Sequence, residues 1–273
     1  MRQKGVMMVK KVKILSNIVC INYKMLRAYK IVNLNGLIVN LFWMLVQANV
    51  LYAFIKHGIS DYSPIQGIGY MIITEALLMI TSSDNNLGGL DIENLLKTGD
   101  IIYYFTKPIS LVTYLIGMEI GRILYYLIWR SVPIFIIGCI FLKWRPILSI
   151  DRFILFLLSL IMSIILSNLI TFLVVMFSLK SNSNKGFNEL FIAISLFFSG
   201  GLIPLKFFPK WLYNLTIYLP FSSQIYTPVS IFINAENNFY KMIIIEIIWI
   251  IIIFIIDCIV YQKERRYLLV QGG

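Results

Sequence analysis

The chain is predicted to be an all-α integral membrane protein with six transmembrane helices, an N-terminal amphipathic interfacial helix, a short cytoplasmic helix between spans two and three, and a re-entrant outer segment between spans five and six. Three observations predict this. The 273 residues are 59% hydrophobic and only 14% charged, with a mean hydropathy of +0.82, more apolar surface than a water-soluble core needs. Six apolar runs are each close to or above the roughly 20 residues that cross about 30 Å of hydrocarbon. The third observation is a stretch, Ser199–Pro228, too broken by Gly and Pro to span and too apolar to be a solvated loop.

The first 30 residues form one predicted unit and residues 31–273 a six-span domain. Within the first unit Met8, Val12, Leu15, Val19, Leu26 and Tyr29 recur at helical spacing, opposite Lys10, Lys13, Asn17 and Lys24. That pattern predicts a helix lying on the membrane surface, as an anchor to anionic headgroups or a dock for a partner. The start of the chain lacks the compact apolar core and cleavage site of a secretory signal and is expected to remain.

The predicted spans are Val32–Ile55, Ile65–Thr81, Ile109–Leu142, Phe153–Leu179, Phe187–Ile203 and Phe239–Tyr261. An even number puts both termini on one side. Placing them inside gives the inner segments fifteen Lys and Arg, eight of them through Lys30, against seven in the outer segments. The positive-inside rule therefore predicts cytoplasmic termini in a multi-pass plasma (cytoplasmic) membrane protein. The net charge of +11 reads as a topology and lipid-surface signal, with no nucleic acid as partner.

Between spans two and three, Ser82–Pro108 is the only long cytoplasmic insert. Ile92, Leu95, Leu96, Gly99 and Tyr103 form an apolar stripe from Asp91 to Tyr104, with Glu93, Lys97 and Asp100 facing away and Glu93 and Lys97 paired four apart. A short amphipathic helix is predicted, ended by the Lys107–Pro108 step. It either joins two spans at the interface or receives mechanical work from a motor subunit.

Between spans five and six, irregular backbone at membrane depth survives only where protein or a wet cavity satisfies its polar groups. Ser199–Pro228 is therefore predicted to dip into the bilayer and return, as part of a pathway or its lid. The outer-gate residues are Gly200, Gly201, Pro204, Phe207, Phe208, Pro209 and Pro220. A helix over Lys210–Leu219, about 15 Å long, is too short to cross.

Seven ionisable groups fall within or beside spans: Glu75, Glu119, Arg122, Arg130, Glu189, Glu246 and Asp257. Such charges are costly and should pair or line a wet path. Glu119 and Arg122, three apart, are predicted to form an intramembrane ion pair, either structural or in contact with substrate, with Arg130 two turns on along a similar face. No catalytic set and no metal site is predicted. His57 is the one histidine, and Cys20, Cys139 and Cys258 are scattered without paired spacing. No GxxxxGK[ST] occurs, so a nucleotide-driven process would need its motor on another subunit.

Four passages carry a family resemblance: LLKTGDIIYYFTKPISLVTYLIGMEIGR (Leu95–Arg122), SGGLIPLKFFPKWL (Ser199–Leu212), YLPFSSQIYTPVSIF (Tyr218–Phe232) and RRYLLVQGG (Arg265–Gly273). In this order they resemble the type-2 permeases of ATP-binding cassette (ABC) exporters, in the branch of short permeases ending in VQGG. The resemblance implies that Asp91–Asp100 is the coupling helix, buried in a groove of the motor through Ile92, Leu95 and Leu96. It implies that the segment before the first span also packs on the motor, that Pro204–Pro220 is an outer cap, and that Trp211, Leu212 and Leu215 face lipid or a neighbouring permease. The implied partners are two copies of an ABC ATPase, which would carry ATP and magnesium, a second permease protomer, identical or homologous, and membrane lipids. This chain itself would bind no cofactor.

Three functions of different class follow from the residues and this resemblance. The preferred one is a permease exporting an amphiphile such as a drug, peptide or lipid-linked molecule. A lipid-modifying membrane enzyme would need a clustered acid, base or metal set, which the sequence does not offer. A non-transporting immunity or sensor protein would signal through the same short helix.

Overall fold

The computed structural model describes residues 2–58, 62–81, 110–146, 149–178, 185–236 and 238–270, with Asn94, Leu95, Thr98, Asp100 and Tyr103. Every regular element among them is helical, as lipid requires of an open chain that must satisfy its own backbone groups. The elements are α1 (Arg2–Ala28), α2 (Lys30–Lys56), α3 (Pro64–Thr81), α4 (Leu111–Tyr126), a π-helical turn (Leu127–Ser131), α5 (Val132–Phe141), α6 (Ile150–Ser178), α7 (Lys185–Phe198), a 3-10 turn (Leu205–Phe207), α8 (Lys210–Thr216), α9 (Tyr226–Phe232) and α10 (Phe239–Val270).

Among the described residues five helical stretches are long and apolar enough to cross a membrane: Ile31–Lys56, Pro64–Thr81, Val112–Phe141, Ile150–Phe177 and Phe239–Lys263. The run expected as the fifth of six spans, Phe187–Ile203, differs. Its helix, α7, has 14 residues, about 21 Å at 1.5 Å per residue. A turn at Ser199–Gly201 stops it, with Gly200 at φ +80°.

The helix α3 is the centre of the molecule. In its membrane window 67% of residues are buried, against 22% for the first span. Its Tyr70, Met71 and Ile72 pack with Met44 of α2, Ile134 of α5, and Tyr226 and Val229 of α9. Phe42, Ile38 and Val39 of α2 and Ile251, Phe254 and Ile255 of α10 are exposed, the outward apolar surface a lipid-facing helix presents.

Of the stripe expected on α1, Leu15, Val19 and Leu26 are half-buried and Val12 and Tyr29 exposed, while Ile18 and Asn22 beside them are buried. This face approaches α4 closely. A Cβ on Gly117 would stand 2.9 Å from Ile18 Cγ2, and one on Gly121 would stand 2.7 Å from the Val19 carbonyl oxygen. Two glycines four apart leave a trough for α1, as small residues do between membrane helices. Asn22 donates its side-chain amide to the Met118 carbonyl.

The helix α6 carries a second close contact. Ser159, Ser163 and Ser167 recur every four residues and are all buried. Ser167 Oγ donates to the Thr81 carbonyl at 2.7 Å, Ser163 Oγ to the Gln224 carbonyl, and Ser159 Oγ to Glu246 Oε2 at 3.0 Å. One serine stripe thereby ties α6 to α3, to the turn before α9 and to α10.

The third span is broken by its own sequence. Pro133 has no N–H to give to the carbonyl four residues back, and its ring crowds that carbonyl. The chain accommodates this with the π-helical turn Leu127–Ser131, a recognised cause of kinks and re-aimed side chains.

Candidate functional site

A cleft of about 400 Å³ lies between α2, α3, the π turn, α7 and the turn before α9. Its polar lining comes from Asn40 and Gln47 on α2, Glu75 on α3, Arg130 in the π turn, Ser195 on α7, and Gln224. Measured by helical rise from the span ends that share one side, Lys56, Pro64 and Phe141, the residues Gln47, Glu75 and Arg130 all lie roughly 14 to 17 Å in. A polar ring thus stands near mid-depth.

The hydrogen bonds of this ring are incomplete. Ser195 Oγ donates to Gln224 Oε1 at 2.9 Å, and Arg130 Nη2 donates to Asn33 Oδ1 at 3.3 Å. Arg130 also stands over the Tyr126 ring at 4.8 Å. Glu75 Oε1, Gln47 Oε1, Gln224 Nε2 and Arg130 Nε are buried without a hydrogen-bond partner among the described residues. Two acceptors and two donors on one cleft suit a wet path or a polar ligand, because an orphaned polar atom in a dry interior costs about 1–3 kcal/mol.

Arg130 follows Arg122 on a similar face, as the spacing predicts, since both guanidiniums lie over the Tyr126 ring, at 4.8 and 5.6 Å. Gly36 on α2 then leaves room, since a Cβ there would stand 2.5 Å from Arg130 Nη2. Asn33 completes the arrangement. Its amide donates to the Leu26 and Tyr29 carbonyls, both at 2.9 Å, bolting the junction of α1 and α2 to the same residue that holds Arg130. Gly36→Val should push the guanidinium off Asn33 and leave the fold intact; a functional assay should fall several-fold while the thermal midpoint shifts little.

Above the cleft lies a cap. The Ser199–Gly201 turn accepts from Tyr70, whose hydroxyl donates to the Gly200 carbonyl at 2.9 Å, and the Tyr226 N–H donates to the Ser199 carbonyl at 3.0 Å. Of the expected gate residues, Gly200, Gly201 and Pro204 are buried, Phe207, Phe208 and Pro220 half-buried and Pro209 exposed. The helix expected over Lys210–Leu219 is shorter. It ends at Thr216, where the amides of Tyr218 and Leu219 turn back to the Leu215 and Thr216 carbonyls. Trp211 and Leu215 are exposed and Leu212 is half-buried.

The cap is locked by side chains that sequence reasoning missed. Glu236 Oε1 accepts from Tyr213 at 2.9 Å and from Tyr226 at 2.8 Å, and pairs with Lys206 at 3.2 Å. Lys206 lies over the Tyr62 ring at 5.1 Å and donates to the Ala235 carbonyl. One acidic residue after α9 thus holds the 3-10 turn, α8 and α9 together. Burial pushes the Tyr213 phenol up to about 12, with Glu236 adding in the same direction against a lowering by Tyr226. A raised tyrosine pKa stabilises below the free value near 10 and is lost on passing the folded one. Near-ultraviolet titration should show this tyrosine ionising only toward pH 12.

The other expected residues are placed as follows. Glu119 and Arg122 are bonded side by side, Arg122 Nε to Glu119 Oε2 at 3.0 Å, and both are buried. Arg122 lies over the ring of Tyr126, a residue of the cleft lining, at 5.6 Å, whereas Glu119 lines a different groove. Glu246 and Asp257 are buried on α10, and Glu189 is exposed on α7. In the inner connection Leu95 is half-buried and Asp100 exposed; Asp91, Ile92, Glu93, Leu96, Lys97 and Gly99 lie outside the described residues, as does the VQGG end from Gln271.

Five apolar spans packed around a polar cleft, with a folded cap beside it, define a multi-pass membrane protein. A family model described as ABC-2 family transporter protein matches residues 38–270. The chain therefore belongs to the ABC-2 transporter family, whose members are membrane permease components working with an ABC ATPase subunit. No curated protein matches it.

Proposed function

We propose that this chain is the permease subunit of an ABC exporter that moves an amphiphile, such as a drug, peptide or lipid-linked molecule, outward with ATP hydrolysed on two copies of a separate motor subunit. The observation that carries the reading is the set of four partnerless polar atoms on one mid-depth cleft beneath the cap. A pathway needs polar groups spaced along apolar walls, and the structural alternative, a dry core, would have paired them. The cleft is one protomer's share of a path that a second permease, identical or homologous, completes.

In this reading α7 and the cap together take the place of the fifth of six spans and its re-entrant return, both termini are cytoplasmic, and the chain sits in the plasma membrane. Gly200, Gly201, Pro204, Phe207, Phe208, Pro209 and Pro220 belong to the outer gate. The segment Asp91–Asp100 is the coupling helix, with Ile92, Leu95 and Leu96 against the motor. This chain hydrolyses nothing and binds no nucleotide.

Gentle purification of the tagged chain from its native membrane should bring an ABC ATPase in stoichiometric amount. The double variant Leu95→Asp with Leu96→Asp should insert normally and lose both the ATPase and ATP-dependent export, because two charges cannot enter an apolar groove cheaply. Normal export by that variant would sink the coupling assignment, and a monodisperse chain without an ATPase would favour the membrane-enzyme or the sensor and immunity reading.

A further inference from the structure

A second groove, of about 470 Å³, opens on the opposite side of the third span, between α4, α6 and α10. Its walls have a layered register. One layer holds Leu115, Ile116, Phe172 and Tyr261; another holds Ile123, Ile164, Ile165 and Phe254. Between them, one helical turn from each, lie Glu119, Asn168 and Asp257. The groove is apolar at both ends with a single polar belt across its middle.

The belt is chemically one-sided. Asp257 is 4% exposed, and neither of its carboxylate oxygens has a hydrogen-bond partner among the described residues. Asn168 gives one amide N–H to the Ile164 carbonyl at 2.8 Å, which leaves its side-chain oxygen as an acceptor beside the second N–H. From α4 the facing charge is Glu119, bound to its neighbour Arg122. From α6 there is no charge, and from α10 itself the other titratable lining groups are Cys258 and Tyr261. The belt therefore presents a carboxylate and a side-chain amide, and among the described residues that line it no cation answers Asp257.

We propose that this groove binds a membrane-borne organic ammonium, an amine with N–H donors on an apolar body, with Asp257 as its counter-ion and Asn168 as a second acceptor. The groove supplies apolar wall for the body and charge complementarity for the head, and a buried carboxylate gains most from a partner that also donates hydrogen bonds. This site is separate from the mid-depth cleft and stands whether or not that cleft carries cargo.

The test uses the full chain in nanodiscs of zwitterionic lipid, a diazirine-bearing alkylamine as probe, and mass spectrometry to locate the label. Labelling should concentrate on the groove faces of α4, α6 and α10. It should fall about tenfold in Asp257→Asn, return in Asp257→Glu, and be weak for the diazirine alcohol of equal length, which lacks the charge. Ile165→Trp, at an exposed position on the groove wall, should block the site without touching the core and decides the matter if Asp257→Asn does not yield monodisperse protein. Equal labelling by the alcohol would mean that a neutral lipid occupies the groove. That result, or labelling that survives both Asp257→Asn and Ile165→Trp, would overturn the proposal.

Discussion

Gly200→Val should be the most damaging single change in the cap, lowering stability by about 3 kcal/mol and the thermal midpoint by several degrees. Two costs add. The residue sits at φ +80°, which a β-branched side chain tolerates poorly. Its Cβ would also stand 2.6 Å from the Tyr70 hydroxyl, displacing the donor that satisfies the Gly200 carbonyl. Gly201→Ala is the comparison, because its nearest obstacle is the flexible Leu196 Cδ1 at 2.7 Å and its backbone needs no left-handed turn. Thermal unfolding of the detergent-purified protein checks both, and equal midpoints would show that the Ser199–Gly201 turn does not hold the cap.

The second large effect separates two arginines eight residues apart on one span. Arg122→Met should destabilise by about 3 kcal/mol, since it leaves the buried Glu119 carboxylate without its partner. Arg130→Met should leave stability unchanged or raise it, because that guanidinium has a buried Nε with no hydrogen bond among the described residues. Under the proposed function its cost falls on transport instead, roughly tenfold or more. Paired measurements of thermal midpoint and ATP-dependent transport decide it. An Arg130→Met protein that unfolds early and transports normally would make Arg130 a structural residue.

Much of this architecture could be read from the sequence because lipid enforces it. Spans one to four and the last are found within a few residues of their apolar runs, since hydrocarbon thickness and backbone satisfaction leave little freedom. The Glu119–Arg122 pair followed from a three-residue spacing on a helix. The short fifth run was harder, because apolar composition does not show where Gly200 turns the chain.

Apolar periodicity found a face of α1 without naming its neighbour: Leu15, Ile18 and Val19 meet α4 at Gly117 and Gly121, whose four-residue spacing lies inside the passage GMEIGR. Pro133 likewise announces a break in the third span. The Tyr70, Tyr213, Tyr226 and Glu236 lock had no local signal. Its members lie on separate elements, and the Tyr70 to Gly200 bond alone joins residues 130 apart.

The junction at Tyr29 has a mechanical consequence. The helices on either side of it have 27 residues each, so each is a rigid arm of about 40 Å by helical rise. With Asn33 as the pin of a fulcrum between them, a tilt of about 10° would sweep the far tip of α1 through about 7 Å for an arm of that length. At the pin itself the movement would be a fraction of an ångström, the scale on which Arg130 gains or loses its hydrogen bond. Because α1 is also seated on Gly117 and Gly121 of α4 and bonded to the Met118 carbonyl, such a tilt would have to carry α4 with it.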